Sequence, residues 1–261
     1  MTLLRHELKR SWLSLMIWTL AIGSFIVIAL AIYPEMKSQM DSLSAAMSSM
    51  GAFSSAFGMD TLSFGSLTGY YAIECSNTLG LGGALFAALI GIGALAKEEK
   101  NGTAEFLLTH PLNRTAVVTG KFAAIVIQIV IQITAILLMT VAAIAAIRET
   151  VPWKEVLLLH TAFLLMELVI AGICFGFSAF LRRGGVGVGL GLAIAMYALN
   201  IIANLTSKAE ALKYITPFGF ADGSDIVSRG GIHAGRLLVC LGLGLAGVAA
   251  AYWHYNRKDI R

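Results

Sequence analysis

Residues 70–121 read YYAIECSNTLGLGGALFAALIGIGALAKEEKNGTAEFLLTHPLNRTAVVTGK. The 22 residues 75–96 carry no charge, and at 1.5 Å per residue such a helix crosses a hydrocarbon core of about 30 Å. Polarity then changes at once. Lys97, Glu98, Glu99 and Lys100 form a charge cluster, Asn101-Gly102 breaks the run, and Thr103 offers a hydroxyl to cap a new helix. That helix is short, 103–109, because the residue before Pro111 is pushed out of the α region. Its apolar side, Phe106, Leu107 and Leu108, has no membrane to enter, while Glu105 stays polar. Pro111 suits the first turn of a following helix that carries Arg114 and Lys121 before the next apolar run begins at Phe122. Residues 97–121 therefore lie between two membrane spans, as a protruding helix that wants a protein partner or as an ordinary connector.

Composition agrees with a membrane protein. The chain of 261 residues is 57% hydrophobic and 13% charged, with a mean hydropathy of +0.79, whereas soluble domains carry about 25% charged residues. The fold class expected is all-α and polytopic, in one transmembrane domain over residues 1–261. Cys75, Cys174 and Cys240 lie in apolar segments at unrelated spacings, which argues against a disulfide framework or a metal site. A net charge of +4 points to membrane lipids, not nucleic acid, since no soluble basic domain exists to bind it.

Six spans are expected, at about 13–33, 70–96, 122–147, 156–181, 186–205 and 237–255. Before the first, Leu4, Leu8, Trp12 and Leu15 recur at helical spacing while Arg5, Lys9 and Arg10 lie off that stripe, as in an interfacial entry helix over 1–12. The loop 34–69 holds a second amphipathic helix, striped by Met36, Met40, Leu43, Met47, Met50, Phe53 and Phe57. The loop 206–236, with Pro217, Phe218 and Phe220, is too short in its apolar pieces to cross but greasy enough to dip back, so a re-entrant segment is expected. Six crossings put both termini on one side. That side carries 12 of the 19 Lys and Arg residues, which marks it as cytoplasmic, together with 97–121. Residues 34–69 and 206–236 are then external.

Polar residues within the spans are the next clue. Gln128 and Gln132 are four apart, His160 and Glu167 seven apart, and Asn200 and Asn204 four apart, each pair on one helix face. A charge at a span centre costs about 2.5 to 3.5 kcal/mol on insertion scales, so Glu167 must face protein or water. These residues either line a translocation path or form an interhelical polar network, with Glu167 bonded to Gln128, Gln132 or a backbone carbonyl. No nucleotide-binding loop is present, because Gly120-Lys121 is followed by Phe122, not Ser or Thr. Energy for uphill transport must come from an ion gradient or another chain.

Residues 98–121, with their acidic patch, Gly102-Thr103, Leu107-Leu108, Pro111 and Arg114, resemble the cytoplasmic segment of type-2 ATP-binding-cassette (ABC) exporter permeases. The basic entry helix and Thr216-Pro217-Phe218 in the last external loop extend the resemblance over the whole chain. It implies a non-catalytic transmembrane subunit whose coupling helix, with Glu98, Glu99, Gly102, Thr103, Glu105, Phe106, Leu107, Leu108, Pro111 and Arg114 as its contact set, docks on a separate ATPase. It also implies two ATPases holding ATP and Mg, a second permease copy or a related permease, and export of an amphipathic peptide, antibiotic or lipid across a prokaryotic plasma membrane, or a sensing role. The rival reading is a self-sufficient proton-coupled carrier using Glu167 and His160. An intramembrane enzyme would need a convergent catalytic set that the chain lacks.

Overall fold

The computed structural model describes residues 2–39, 51–56, 66–100, 113–181 and 185–257. Among these residues the structure is helical without strands, and six helices are long and apolar enough to cross a membrane. They are α1 (Thr2–Ser38), α2 (Leu67–Lys100), α3 (Arg114–Ala146), α4 (Trp153–Phe180), α5 (Val186–Leu205) and α6 (Ala234–Arg257). Most outrun the apolar run from which they were expected. The entry helix at 1–12 is continuous with the first span, since no breaker separates Trp12 from Leu13. Pro34 lies within α1 close to its end, where its missing donor costs one hydrogen bond without ending the helix. α3 starts at Arg114, where Asn113 accepts a hydrogen bond from the Thr115 amide at 3.3 Å, so its cap lies two residues beyond Pro111. The methionine-striped helix falls largely outside the described residues; within it, Ala52–Ala56 is helical. Residues 101–112 also fall outside them.

α4 is the centre of the bundle, packing on α2 along one side and α6 along another. Between helices in lipid, association depends on how closely two backbones can approach. A Cβ on Gly172 would lie 2.8 Å from the Gly244 carbonyl oxygen, and one on Gly176 would lie 2.6 Å from that of Gly247. The α4–α6 crossing is thus backbone on backbone. On the α2 side, Gly91 meets the Ala171 carbonyl in the same way. Across their most apolar stretches α2 is 67% and α4 61% buried, against 22% for α5 and for α6. The outer faces of α5 and α6 are left for lipid or another chain.

The loop between α5 and α6 does turn back. A 3-10 helix, Ser207–Tyr214, runs down beside α5, and the Thr216 hydroxyl donates to the Met196 carbonyl at 2.8 Å. Met196 lies nine residues before the end of α5, about 14 Å below it. Thr216, Pro217, Phe218 and Phe220 are buried there, with Phe218 edge-on to Tyr197 at 5.2 Å. The chain climbs out through the helix Gly223–Arg229, which Asp222 caps by accepting from the Ser224 and Asp225 amides. Arg236 at the start of α6 gathers this loop. Its guanidinium is buried and donates to Asp225 at 2.5 Å, to the Gly219 carbonyl at 3.1 Å and to Glu210 at 3.2 Å.

Gly176→Ala forces α4 and α6 apart and lowers stability by about 1 to 3 kcal/mol, read as a drop in the thermal unfolding midpoint of the detergent-purified protein. Arg236→Ala removes the buried donor to Asp225 and the Gly219 carbonyl, leaves Asp225 with Lys213 at 3.8 Å, and costs about 1 to 3 kcal/mol. Glu210→Gln, at an exposed partner, stays within about 0.5 kcal/mol of the parent.

Candidate functional site: the polar core and the end that holds both termini

The six intramembrane polar residues do not form one site. Gln128 is buried on α3, donating through Nε2 to the Ala124 carbonyl at 3.1 Å and leaving Oε1 without a partner. Gln132, one turn further on, is fully enclosed, and among the described residues neither side-chain polar atom is hydrogen-bonded. His160 on α4 donates from Nδ1 to the Val156 carbonyl at 2.9 Å, with the Tyr71 hydroxyl 3.5 Å from the same nitrogen. Tyr71 in turn donates to Thr140, so His160 belongs to a small cluster joining α2, α3 and α4. Asn200 and Asn204 line a separate cavity of about 30 Å³ with Asn77, Tyr197 and Asp222, where Asn204 donates to Asp222 at 3.2 Å. That space suits about two waters.

Glu167 stands apart from all of these. It lies at the middle of α4 and is fully enclosed, and among the described residues neither carboxyl oxygen has a hydrogen-bond partner. Among the described residues the expected bond to Gln128, Gln132 or a carbonyl is not made. What it meets is Gly83 at the middle of α2, where a Cβ would come 2.0 Å from Oε1 and 2.8 Å from Cδ. The missing side chain of Gly83 is therefore the notch that holds the carboxyl group. Seven residues separate Glu167 from His160, about 10 Å along the helix, and no hydrogen bond joins them among the described residues.

The other candidate region is the end of the bundle that bears residues 97–121. Glu98 and Glu99 lie on the last turn of α2; Gly102, Thr103, Glu105, Phe106, Leu107, Leu108 and Pro111 fall outside the described residues. Arg114 opens α3 and extends Nη1 to within 3.5 Å of the Tyr255 and Asn256 carbonyls. A cation there satisfies carbonyls that the end of α6 leaves unpaired and offsets its dipole. Thr119 hydrogen-bonds to the Tyr252 hydroxyl at 2.8 Å, and Lys121 pairs with Glu7 of α1 at 2.7 Å. The starts of α1 and α3 and the end of α6 thus meet at one end, which holds both chain termini and the 97–121 segment.

A family model for ABC-2 family transporter proteins matches residues 1–260. The chain belongs to that family. No curated protein matches it in sequence. As an ABC-2 family member it is a multi-pass membrane protein of the permease type, and membership implies association with ABC ATPase subunits in general.

Sequence reasoning missed three features of this transporter chain. The Lys121–Glu7 pair had a signal: Glu7, Ser11 and Ser14 recur at steps of four and three, a polar stripe beside the Leu4-Leu8-Trp12 stripe. Arg236 had only its place at the end of a polar loop. The Gly83–Glu167 contact had none, because pairing between helices is invisible in either helix alone.

The notch makes a testable pair. Gly83→Ala alone is expected to cost about 1 to 3 kcal/mol, because the enclosed carboxyl must be displaced. Adding Glu167→Ala should recover most of it, giving a coupling energy of about 1 kcal/mol or more in a double-mutant cycle read by thermal unfolding.

Proposed function

We propose that this chain is the permease subunit of an exporter driven by ATP hydrolysis on separate ATPase subunits. Family membership over the whole chain supports this reading, as does the absence of a phosphate-binding loop from the sequence. The carrying observation is the convergence of α1, α3 and α6 at the end that bears 97–121, tied by Lys121–Glu7 and by Arg114 on the α6 carbonyls. A push on that segment acts on a braced end, not on a loose loop, and rigid-body motion is how such coupling travels. ATP and Mg are held by the partner, and this chain supplies no catalytic residue.

In this reading Phe106, Leu107 and Leu108 anchor the coupling helix in the ATPase, with Glu98, Glu99, Glu105 and Arg114 as its charged rim. The Leu4-Leu8-Trp12 stripe, flanked by Arg5 and Lys9, borders a shallow open groove beside the same end and touches the ATPase or lipid. The termini and 97–121 are cytoplasmic in a prokaryotic plasma membrane, as the excess of Lys and Arg indicates. A second permease packs on the exposed side of α5, where Gly187 and Gly191 have open space before them. The cargo is amphipathic, of the peptide, antibiotic or lipid class, in keeping with the apolar faces such a path would offer.

Replacing Phe106 and Leu107 together with Asp is expected to release the ATPase in a pull-down while the permease stays in the membrane fraction. Retained binding with full substrate-stimulated ATPase activity would refute the proposal. A cysteine placed at His110 should react with a membrane-impermeant maleimide only after the cells are opened; labelling in intact cells would put the segment on the wrong side.

A further inference from the structure

Under the returning loop, at the end of the bundle away from both termini, lies the cavity of about 30 Å³. Three elements close its polar side. Ser76 and Asn77 come from α2, Asn200 and Asn204 from α5, and Asp222 and Ser224 from the loop. The loop is pressed onto α2 at Gly223, where a Cβ would lie 2.6 Å from the Ala72 carbonyl oxygen, and the Gly223 amide donates to Ser76 Oγ at 2.9 Å. That close approach fixes the adjoining Asp222 at the cavity.

We propose that this cavity binds a hard inorganic cation, sodium or calcium, which ties the returning loop to α2 and α5. Asp222 is only 9% exposed and has no ion-pair partner among the described residues. Its Oδ1 accepts from the Ser224 amide and hydroxyl and from the Asp225 amide, and its Oδ2 accepts from Asn204, so every donor it meets is neutral. Residues 40–50 and 57–65, which lie outside the described residues in the loop joining α1 to α2, contain Asp41 and Asp60 but no Lys, Arg or His. They can bring no cation to Asp222. Residues 101–112, 182–184 and 258–261, also outside the described ones, continue from the opposite ends of α2, α4 and α6. A buried carboxylate that stays charged is paired or coordinates a metal, and no side chain described here pairs with this one.

Asn200 supplies a second, independent observation. It is nine-tenths buried, and its side chain makes no hydrogen bond among the described residues, with Oδ1 sealed from solvent. Nothing holds that amide in one orientation, so turning its oxygen to the cavity breaks no bond. Asn77 Oδ1, which accepts from Tyr197 at 3.3 Å, adds a further oxygen to the lining. Carboxylate, amide and hydroxyl oxygens without imidazole or thiolate suit hard cations, not zinc or copper. Space for about two waters takes an ion with little of its hydration left, which excludes magnesium, since it keeps several waters. A single carboxylate balances sodium; a second from Asp60 would favour calcium. The assignment does not rest on the chain's being an exporter subunit.

The test uses the full-length protein purified in detergent, stripped with a chelator and held in choline chloride, whose quaternary cation is too large for the cavity. Sodium chloride replaces choline chloride at constant ionic strength in one arm, and calcium chloride does so in the other. Binding of the radiolabelled ion and the thermal unfolding midpoint are read. One of the two ions should bind saturably and raise the midpoint by a few degrees over choline; whichever saturates at the lower concentration is the ion of the site. Asp222→Asn keeps a good helix cap but removes the charge, and should abolish both binding and shift. Asn200→Leu, close in size but without the oxygen, should weaken binding about tenfold. Glu210→Gln, on the exposed side of the same loop, should respond as the parent does. If neither ion binds or raises the midpoint, the cavity holds water alone and the proposal is overturned. Binding that survives unchanged in both Asp222→Asn and Asn200→Leu overturns it as well.

Discussion

The α4 backbone lies against the backbones of both neighbours, and the rest of the bundle is arranged around that contact. A lipid tail is as apolar as leucine, so side-chain burial between spans gains little over burial in lipid. What separates packed helices from helices adrift is dispersion at close range, which falls off steeply with distance. Gly172 and Gly176 on one side and Gly244 and Gly247 on the other remove the four Cβ atoms that would hold α4 and α6 apart. Gly91 does the same toward α2. With α4 clasped from two sides, α1 reaches the centre only through α2 and α3, and α5 attaches along α2 and the returning loop.

Polar groups then divide by depth. At the bundle ends they are paired: Lys37 with Glu149, Arg236 with Asp225 and Glu210, Lys121 with Glu7. There, water or headgroups share the cost of holding a charge, and the pairs fix which helix ends stay together. In the middle, Glu167 and Gln132 are enclosed without hydrogen-bond partners among the described residues. A buried polar group left without its bond costs about 1 to 3 kcal/mol, so two of them spend a sizeable share of a marginal stability. A state of the bundle that offers either group a donor or water is favoured by a comparable amount. The paired ends hold the helices together where charge can be shared, and the enclosed centre does not add to that hold.

How much of this was legible in the sequence follows from what hydropathy measures. It marks the hydrocarbon, not the helix. The run at 186–205 is bounded by Gly185 and Thr206, and there run and helix coincide. The runs at 13–33 and 122–147 became the helices Thr2–Ser38 and Arg114–Ala146, because polar turns beyond the hydrocarbon stay helical while water or side chains satisfy their ends. The loop that turns back was readable from Pro217, Phe218 and Phe220, whose greasiness has no other outlet. The site residues were harder. Spacing of four or seven places Gln128 with Gln132, and His160 with Glu167, on a common face, but says nothing of what that face meets. Tyr71 answers His160 and Gly83 answers Glu167, each from another helix. Neither partner advertises itself in its own segment, where a tyrosine reads as belt and a glycine as packing.

The braced end carries a consequence for how force enters the bundle. Lys121 binds α3 to α1, and Arg114 and Thr119 bind α3 to α6, within about two turns of one helix. A displacement of the chain before Arg114 cannot move α3 alone without breaking a buried ion pair, and breaking such a pair from one side costs about 3 to 5 kcal/mol. Moving α1, α3 and α6 together keeps the pair intact but must carry α4 as well, because Gly172 and Gly176 hold its backbone against Gly244 and Gly247 of α6. The soft boundary is elsewhere, on the thinly buried sides of α5 and α6. Motion entering at this end is therefore expected to carry the three tied helices together with α4 and to be absorbed along α5, which is thinly buried, has no such glycine contact with α4 among the described residues and leads into the returning loop.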